Sequence, residues 1–219
     1  MAAYREVVCR LSERDVNLFV SPAGYLFASC WDELQSITEE LEAEAVRRGI
    51  AVIVGIDLSP RALTQEYSTG ARLSAFAFSW SPESGRSIWV QRSSSSENHY
   101  LATGESCSEE RVLTVQGRRV AIVVCGEIFN DRIRNAVLQQ HVDAAVDFGH
   151  YSQGFRVWAG MKVLTRAGLP VCFCSVHAGP WTKKYCYTVG GTSATTWRSD
   201  FIVEGSPRLE VKFWNVAMP

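Results

Sequence analysis

Apolar and polar positions along the chain follow two spacings, one typical of helices and one typical of strands. Apolar residues at helical spacing predict helices over residues 2–14, 31–48, 131–141 and 155–168. Short apolar or alternating runs predict strands over residues 17–21, 50–57, 72–80, 87–91, 120–124, 142–148, 169–177, 201–204 and 209–214. Since helices and strands alternate, the pattern predicts a layered α/β fold, and 219 residues suit a single domain over residues 1–219.

The most informative stretch of the chain is a continuous apolar run followed by a thiol. Val120 to Val124 is rich in β-branched residues and apolar on both faces, which predicts a buried strand in the middle of a covered sheet. The run ends in Cys125, and the next residue is Gly126, which permits a sharp turn. The end of a buried strand, just before a sharp turn, is a position where an enzyme holds a nucleophile such as a thiol. The alternative is a packed core cysteine, because free cysteine is among the most buried residue types.

Composition and charge argue against several classes of protein. The chain has a formal net charge of −1, with 47% hydrophobic and 21% charged residues, which gives no electrostatic case for binding nucleic acid or an anionic membrane. No apolar run reaches the roughly 18 residues that span a bilayer. The N-terminus also lacks the apolar core of a signal peptide, so we expect a cytoplasmic protein.

The cysteines of the chain follow neither a metal-binding nor a disulfide pattern. They lie at positions 9, 30, 107, 125, 172, 174 and 186. No pair has the Cys-x-x-Cys spacing, and no histidine cluster lies beside them. We therefore expect reduced thiols, no metal site and no cofactor.

Residues 117–147 resemble the nucleophile segment of the nitrilase, or carbon–nitrogen hydrolase, superfamily. In that family a hydrophobic strand ends in Cys-x-Glu or Cys-x-Asp and leads into a helix and a further strand, as the chain does from Val120 through Glu127. Residues 15–26, 31–57, 72–92 and 158–179 resemble other segments of the family. The resemblance implies a four-layer α-β-β-α sandwich and a homodimer. It also implies that a small-molecule amide or nitrile is hydrolysed through a cysteine thioester.

Two of the three catalytic identities of that family are missing from the chain. In the family, a glutamate that follows a proline is the general base; here Ala23 follows Pro22, and alanine cannot accept a proton. The family's oxyanion-stabilising lysine falls at Gln91 or Arg92, and no lysine precedes residue 162. Arg92 can supply charge to an oxyanion, but its guanidinium stays protonated and cannot shuttle a proton.

The resemblance leaves several candidates for a replacement base. Glu127 lies two residues after the thiol, at a position where the family's acid is usually structural. Glu105 or Glu110 matches a second, supporting glutamate of the family. His150 follows a predicted strand, where the sheet ends of the family face the pocket, although an ordinary loop histidine is the simpler interpretation.

Two hypotheses about function follow from these residues. The first is a divergent hydrolase that uses Cys125 as nucleophile, Arg92 as oxyanion partner and a base from Glu127, Glu105 or His150. The second is a catalytically inactive relative that keeps the fold as a binding or assembly module. An engineered Ala23 in place of a natural glutamate is a further explanation of position 23, but it leaves the missing lysine unexplained.

Overall fold

The computed structural model describes residues 1–59, 75–93, 109–149, 155–169, 171–176, 194–203 and 209–216. Its helices are α1 (Ala2–Ser12), α2 (Trp31–Arg48), α3 (Asp131–Gln139) and α4 (Phe155–Arg166). Its strands are β1 (Leu18–Ala28), β2 (Ala51–Leu58), β3 (Ala75–Ser81), β4 (Gly85–Val90), β5 (Val112–Val115), β6 (Arg118–Val124), β7 (Ala144–Gly149), β8 (Val171–Val176), β9 (Ala194–Val203) and β10 (Leu209–Val216). A 3-10 turn, Cys125–Phe129, follows β6 directly.

The first sheet contains β1, β2, β3 and β4 in that order. β1 and β2 are parallel, so the chain must cross over between them, and α2 forms that crossover. β2, β3 and β4 then run antiparallel to one another. α2 packs on this sheet because its apolar residues share one face, and it ends at Gly49, whose φ of 66° suits a glycine.

The second sheet contains β5, β6, β7 and β8 in that order. β5 and β6 form an antiparallel hairpin, whereas β6, β7 and β8 are parallel and are connected through α3 and α4. Val120 to Val124 of β6 are all buried. This confirms the prediction that the run before the thiol is a covered strand inside a sheet.

Three apolar layers separate the helices from the sheets and the sheets from each other. The first joins α1 and α2 to the first sheet and includes Val7. The second lies between the two sheets and includes Ile53 and Ile122. The third joins the second sheet to α3 and α4 and includes Val123 and Met161. This order of layers confirms the predicted α-β-β-α sandwich.

The last two strands stand apart from both large sheets. β9 and β10 form an antiparallel pair, where the sequence predicts strands over residues 201–204 and 209–214. Residues 72–74, predicted as part of the strand that contains β3, lie outside the described residues. Within the described part of the chain, no helix is long and apolar enough to cross a membrane.

β1 is longer than the sequence predicts, and it continues through a proline. The prediction of a strand that stops at Pro22 is wrong, because β1 extends to Ala28. Its pairing with β2 holds up to Ser21, is interrupted, and resumes at Leu26. Pro22 is tolerated because it lies inside the interruption, where the ladder requires no backbone N–H.

The interruption is a bulge, residues 22–25, which lies opposite the single residue Gly55. A Cβ on Gly55 would lie 2.5 Å from the backbone nitrogen of Ala23 and 2.7 Å from its Cα, so only a glycine leaves room for the bulge. Ala51 and Ile53 of β2 belong to the apolar layer between the sheets. By strand alternation, Gly55 and the bulge over it face the second sheet.

The substitution Gly55→Ala tests whether the bulge depends on this missing side chain. Because the new methyl group would collide with backbone, we expect the free energy of unfolding to fall by about 3 kcal/mol, measured by urea denaturation. Gly85→Ala is the control. A Cβ at position 85 meets nothing within 4 Å, and its φ of 69° should cost only about 1 kcal/mol. Equal losses for the two variants would contradict this account of the bulge.

Candidate active site

Cys125 lies at the point where β6 turns into the 3-10 helix. Its φ is 52°, in the left-handed region that residues with a side chain rarely adopt. The sequence predicts that Gly126 makes the sharp turn, but the structure gives the unusual conformation to the cysteine itself. The thiol residue is half-buried and packs against the apolar layer between the sheets. Such a conformation costs about 1–3 kcal/mol and persists only where neighbouring structure enforces it.

Gly149, the last residue of β7, borders the thiol directly. A Cβ on Gly149 would lie 3.0 Å from Sγ of Cys125 and 3.2 Å from its Cα. That contact is closer than ordinary packing allows. The end of β7 therefore accommodates Cys125 because position 149 has no side chain.

Glu127 is completely buried two residues after the thiol and binds three separate segments of the chain. The backbone N–H of Arg92 donates to Oε1 at 2.6 Å, and the Arg92 guanidinium donates to both carboxylate oxygens at 3.1 and 3.3 Å. The backbone N–H of Val124 donates to Oε2 at 3.1 Å, and Arg111 donates to Oε1 at 3.5 Å. The carboxylate thus fastens the turn that carries Cys125 to the residues after β4 and before β5.

Arg111 is a second buried arginine of this cluster, and its guanidinium is shared among several groups. It donates to the carbonyl oxygen of Val90 at 2.7 Å and to Glu109 at 3.1 Å. It also lies over the ring of Trp89, 5.4 Å from the centroid, in a cation–π contact. These contacts are the hydrogen-bond and charge partners that a buried guanidinium requires.

The segment after β4 is buried and held from both sides. Gln91 donates from its amide to the carbonyl oxygen of Ser93 at 2.7 Å. Asn130 donates to Oγ of Ser93 at 3.2 Å, while its own oxygen caps α3 by accepting from the backbone N–H of Arg132 at 3.0 Å. The helix after the thiol is therefore anchored to the same segment that carries Arg92.

Strand registers bring the ends of both sheets to one edge of the sandwich. In the first sheet, Asp57 at the end of β2 pairs with Ala75 at the start of β3. The next residue of β3, Phe76, pairs with Val90 at the end of β4. Arg92, two residues later, contacts the turn at the end of β6 through Glu127. We call this edge, where β1, β2, β4, β6 and β7 end, the site edge.

Asp57 is a buried carboxylate at the site edge, beside the β1 bulge. It lies two residues after Gly55 in β2, so its side chain leaves the strand on the face toward the second sheet. Its Oδ2 accepts a hydrogen bond from the backbone N–H of Gly24 at 2.9 Å. Ala23 therefore precedes a residue whose backbone is bound by an aspartate of another strand.

Two phenols lie near this carboxylate. Burial raises the pKa of Tyr4 far above its ordinary range, and the nearby Tyr25 and Asp57 raise it further, against a lowering by its hydrogen bond with Ser21. Burial also raises the pKa of Tyr25. Both phenols consequently stay protonated and uncharged at neutral pH.

Comparison with solved structures identifies the architecture. The amidase from Nesterenkonia sp. matches with a TM-score of 0.59 and 16% identity, over 81% of this chain and 69% of that one. A cysteine-to-alanine mutant of the Nesterenkonia AN1 amidase from the nitrilase superfamily matches with a TM-score of 0.61 and 14% identity, over the same shares. The fold is that of the nitrilase superfamily. No family model and no curated protein matches the sequence, so the likeness to the amidase lies in the fold.

One further nitrilase-fold structure carries chemical information about the amidase. It is a glutamate-to-glutamine mutant that shows covalent addition of the acetamide moiety of fluoroacetamide at the active site cysteine. It matches this chain with a TM-score of 0.60 and 15% identity, over 81% of this chain and 69% of that chain.

Within this nitrilase-like fold, the structure brings several predicted site residues together. Cys125 and Glu127 share one turn, and Arg92 binds Glu127 from the end of β4. Ala23 is completely buried in the bulge of β1 and faces the second sheet. Two other predicted candidates lie outside the described residues, namely Glu105 and His150.

Sequence reasoning missed three residues of this site: Arg111, Gly149 and Asp57. Glycine inside the predicted strand 50–57 does signal a bulge or close backbone approach, and that signal points to the neighbourhood of Asp57. No local signal marks Arg111 or Gly149, because their contacts cross from one sheet element to another. Among the residues that the structure describes, no group of three His, Cys, Asp or Glu side chains is arranged to hold a metal ion.

The substitution Glu127→Gln tests the buried cluster. It removes the carboxylate charge that Arg92 and Arg111 share, and we expect the free energy of unfolding to fall by about 3–5 kcal/mol in urea denaturation. Glu40→Gln is the matched control, because Glu40 forms an exposed ion pair with Arg5 and its loss should cost less than about 1 kcal/mol. A loss for Glu127→Gln as small as that of the control would show that the cluster does not stabilise the turn.

Proposed function

We propose that this protein is a divergent amide hydrolase in which Cys125 is the nucleophile. The observation that carries the proposal is the strained backbone of Cys125 at the end of a central strand, with Gly149 leaving space beside the thiol. Strain of this kind clusters at functional sites, and the buried carboxylate of Glu127 supplies the bonds that enforce it here. The shared fold with the Nesterenkonia amidase supports a small amide as the substrate class.

The proposed reaction has two covalent steps. In the first, Sγ of Cys125 attacks the carbonyl carbon, the carbon–nitrogen bond breaks, and ammonia or an amine leaves after gaining one proton. In the second, water adds to the resulting thioester, the carbon–sulfur bond breaks, and the carboxylic acid leaves as the thiol regains its proton. One water molecule is consumed for each amide hydrolysed.

Arg92 and Glu127 have different roles in this proposal. Arg92 supplies a fixed positive charge near the turn of the nucleophile, in the region where the family's lysine acts, and it favours the negative charge that develops on the carbonyl oxygen. Glu127 is a positioning residue, because its carboxylate already accepts bonds from Arg92, Arg111 and the backbone of Val124. A carboxylate so engaged is poorly suited to remove a proton from the thiol.

A second candidate function is a catalytically inactive binding or assembly module with the same fold. The observation that favours it is Ala23, which is completely buried in the bulge and has no group able to accept a proton. The two candidates differ in what they require of Cys125. A binding module retains the thiol as a packing residue, whereas a hydrolase loses its activity without it.

Ammonia release from small amides, with butyramide first, tests the hydrolase proposal. We expect the wild-type chain to release ammonia and Cys125→Ser to reduce kcat/KM by at least about 1000-fold, because a hydroxyl is a far weaker nucleophile than a thiol. Cys30→Ser is the control: Cys30 is exposed, at the N-terminal end of α2, and its loss should leave turnover unchanged. Turnover by Cys125→Ser equal to wild type would contradict the proposal, and no turnover by wild type would favour the binding module.

The substitution Gly149→Ala tests the space beside the thiol. The new methyl group would press on Sγ and Cα of Cys125, so we expect kcat/KM for butyramide to fall by about tenfold or more. Gly117→Ala is the control, because it strains a positive φ of 73° in the remote turn before β6 without crowding any atom within 4 Å. If both variants lose the same small amount of activity, the loss reflects stability and not the site.

A further inference from the structure

We propose that Asp57 is the general base of the Cys125 site, taking the place of the glutamate that the chain lacks at Ala23. This inference rests on the proposed function and names the group that makes it chemically possible. In the proposed step, a carboxylate oxygen of Asp57 takes the proton from the thiol, directly or through one water molecule, as the carbon–sulfur bond forms. The same proton is then returned to the departing amine when the carbon–nitrogen bond breaks.

The register of the first sheet puts Asp57 at the correct end of the sandwich. It lies one residue before the end of β2. Because β3 is antiparallel to both β2 and β4, the end of β2 lies beside the start of β3, and the start of β3 lies beside the end of β4. The end of β4 leads to Arg92, which is bonded to Glu127 in the turn of the nucleophile. Asp57 and Cys125 therefore both belong to the site edge.

Strand alternation puts Asp57 on the correct face of the sheet. Val54, Ile56 and Leu58 of β2 pack toward α1 and α2, whereas Ile53 belongs to the layer between the sheets. Asp57 lies four residues after Ile53, and alternate residues of a strand share one face, so its side chain leaves the strand on the side where Cys125 packs. A carboxylate on the opposite face would lie among the helices, out of reach of the thiol.

The bulge fixes the carboxylate beside the vacant glutamate position. The bond from the backbone N–H of Gly24 to Oδ2 of Asp57 ties it to the residue that follows Ala23. That bond holds Oδ2 in a defined orientation, and an anchored carboxylate loses less freedom when it accepts a proton than an unanchored one. Asp57 of β2 thus supplies a carboxylate beside the bulge, where Ala23 supplies none.

An exposed side chain pairs with Asp57 at the site edge. Phe27 pairs with Asp57 across β1 and β2, so the two side chains leave the sheet on the same face. Phe27 is nevertheless 58% exposed, although residues nearer the middle of that face are buried between the sheets. β1 is an outermost strand of its sheet, so an exposed aromatic side chain borders the proposed base there.

The other titratable groups near the pair do not produce the same pH dependence. Tyr4 on α1 and Tyr25 on β1 lie near Asp57, and both have a pKa raised by burial, so they stay neutral between about pH 6 and pH 9. On the side of the thiol, the charged groups are Glu127, Arg92 and Arg111, and the carboxylate of Glu127 forms ion pairs with both arginines.

The variant Asp57→Asn separates a base from a structural support. Asparagine keeps an oxygen that accepts from Gly24, so the bulge is retained, but it cannot take a proton. We expect kcat/KM for butyramide to fall by about 100-fold or more and the acidic limb of the pH profile to disappear. Asp143→Asn is the control, because Asp143 binds Arg118 and the backbone of Arg119 at the opposite edge of the second sheet. That variant should match wild type.

Alkylation of Cys125 by iodoacetamide, followed by peptide mass spectrometry, gives a readout that does not depend on turnover. Near pH 7 we expect Asp57→Asn to slow alkylation of Cys125 by about tenfold, because the thiol has lost the group that removes its proton. Near pH 9.5, where ordinary thiols ionise without help, the two rates should agree and show that the site is intact.

The outcomes distinguish the role of Asp57 from the proposal that Cys125 is the nucleophile of an amide hydrolase. If wild type and Asp57→Asn hydrolyse butyramide equally well, Asp57 is not the base, and Cys125 remains the nucleophile. Faster alkylation of the variant near pH 7 also overturns it, because the carboxylate would then only repel the thiolate. Absence of wild-type turnover together with equal alkylation rates overturns both the base and the hydrolase.

Discussion

The buried carboxylate of Glu127 is the interaction on which the arrangement of the site depends. It accepts hydrogen bonds from Arg92, two residues after β4, from Val124 at the end of β6 and from Arg111 before β5, and it lies two positions from the thiol. A buried charge is stable only when it is paired and hydrogen-bonded. If these three segments separated, the carboxylate would be exposed to water or left buried without partners. The strained backbone of Cys125 is maintained by this constraint, and the two sheets are joined at the same point.

Three glycines allow close backbone packing around the site. Gly149 allows β7 to end against the thiol, Gly55 allows the bulge of β1 to lie on β2, and Gly160 allows α4 to pack on the turn, where a Cβ would lie 2.9 Å from the carbonyl oxygen of Ile128. Each removes a side chain at a place where two backbones approach closely. At the site edge these glycines thus leave room for the turn that carries Cys125 and for the bulge that contains Ala23.

The layered fold and the strand before Cys125 could be predicted from sequence because their signals are local. α2 has the same bounds as its periodic apolar pattern, and the apolar, β-branched run from Val120 to Val124 predicts the covered strand that the structure has there. The course of β1 could not be predicted, since Pro22 normally ends a strand and its tolerance here depends on Gly55 of another strand. For the same reason Asp57 was missed: its relevance arises from strand register and from a bond to Gly24, which no sequence spacing encodes.

The most direct test of the central claim, that Cys125 is the nucleophile of an amide site, is competitive labelling with fluoroacetamide. The thiol would displace fluoride, forming a carbon–sulfur bond and releasing the thiol proton, and peptide mass spectrometry would locate the added acetamide group. Because this weak reagent requires a binding site, we expect the half-buried Cys125 to be labelled while the exposed Cys30 stays free. Labelling of Cys30 before Cys125, or of neither residue in the folded chain, would contradict the account.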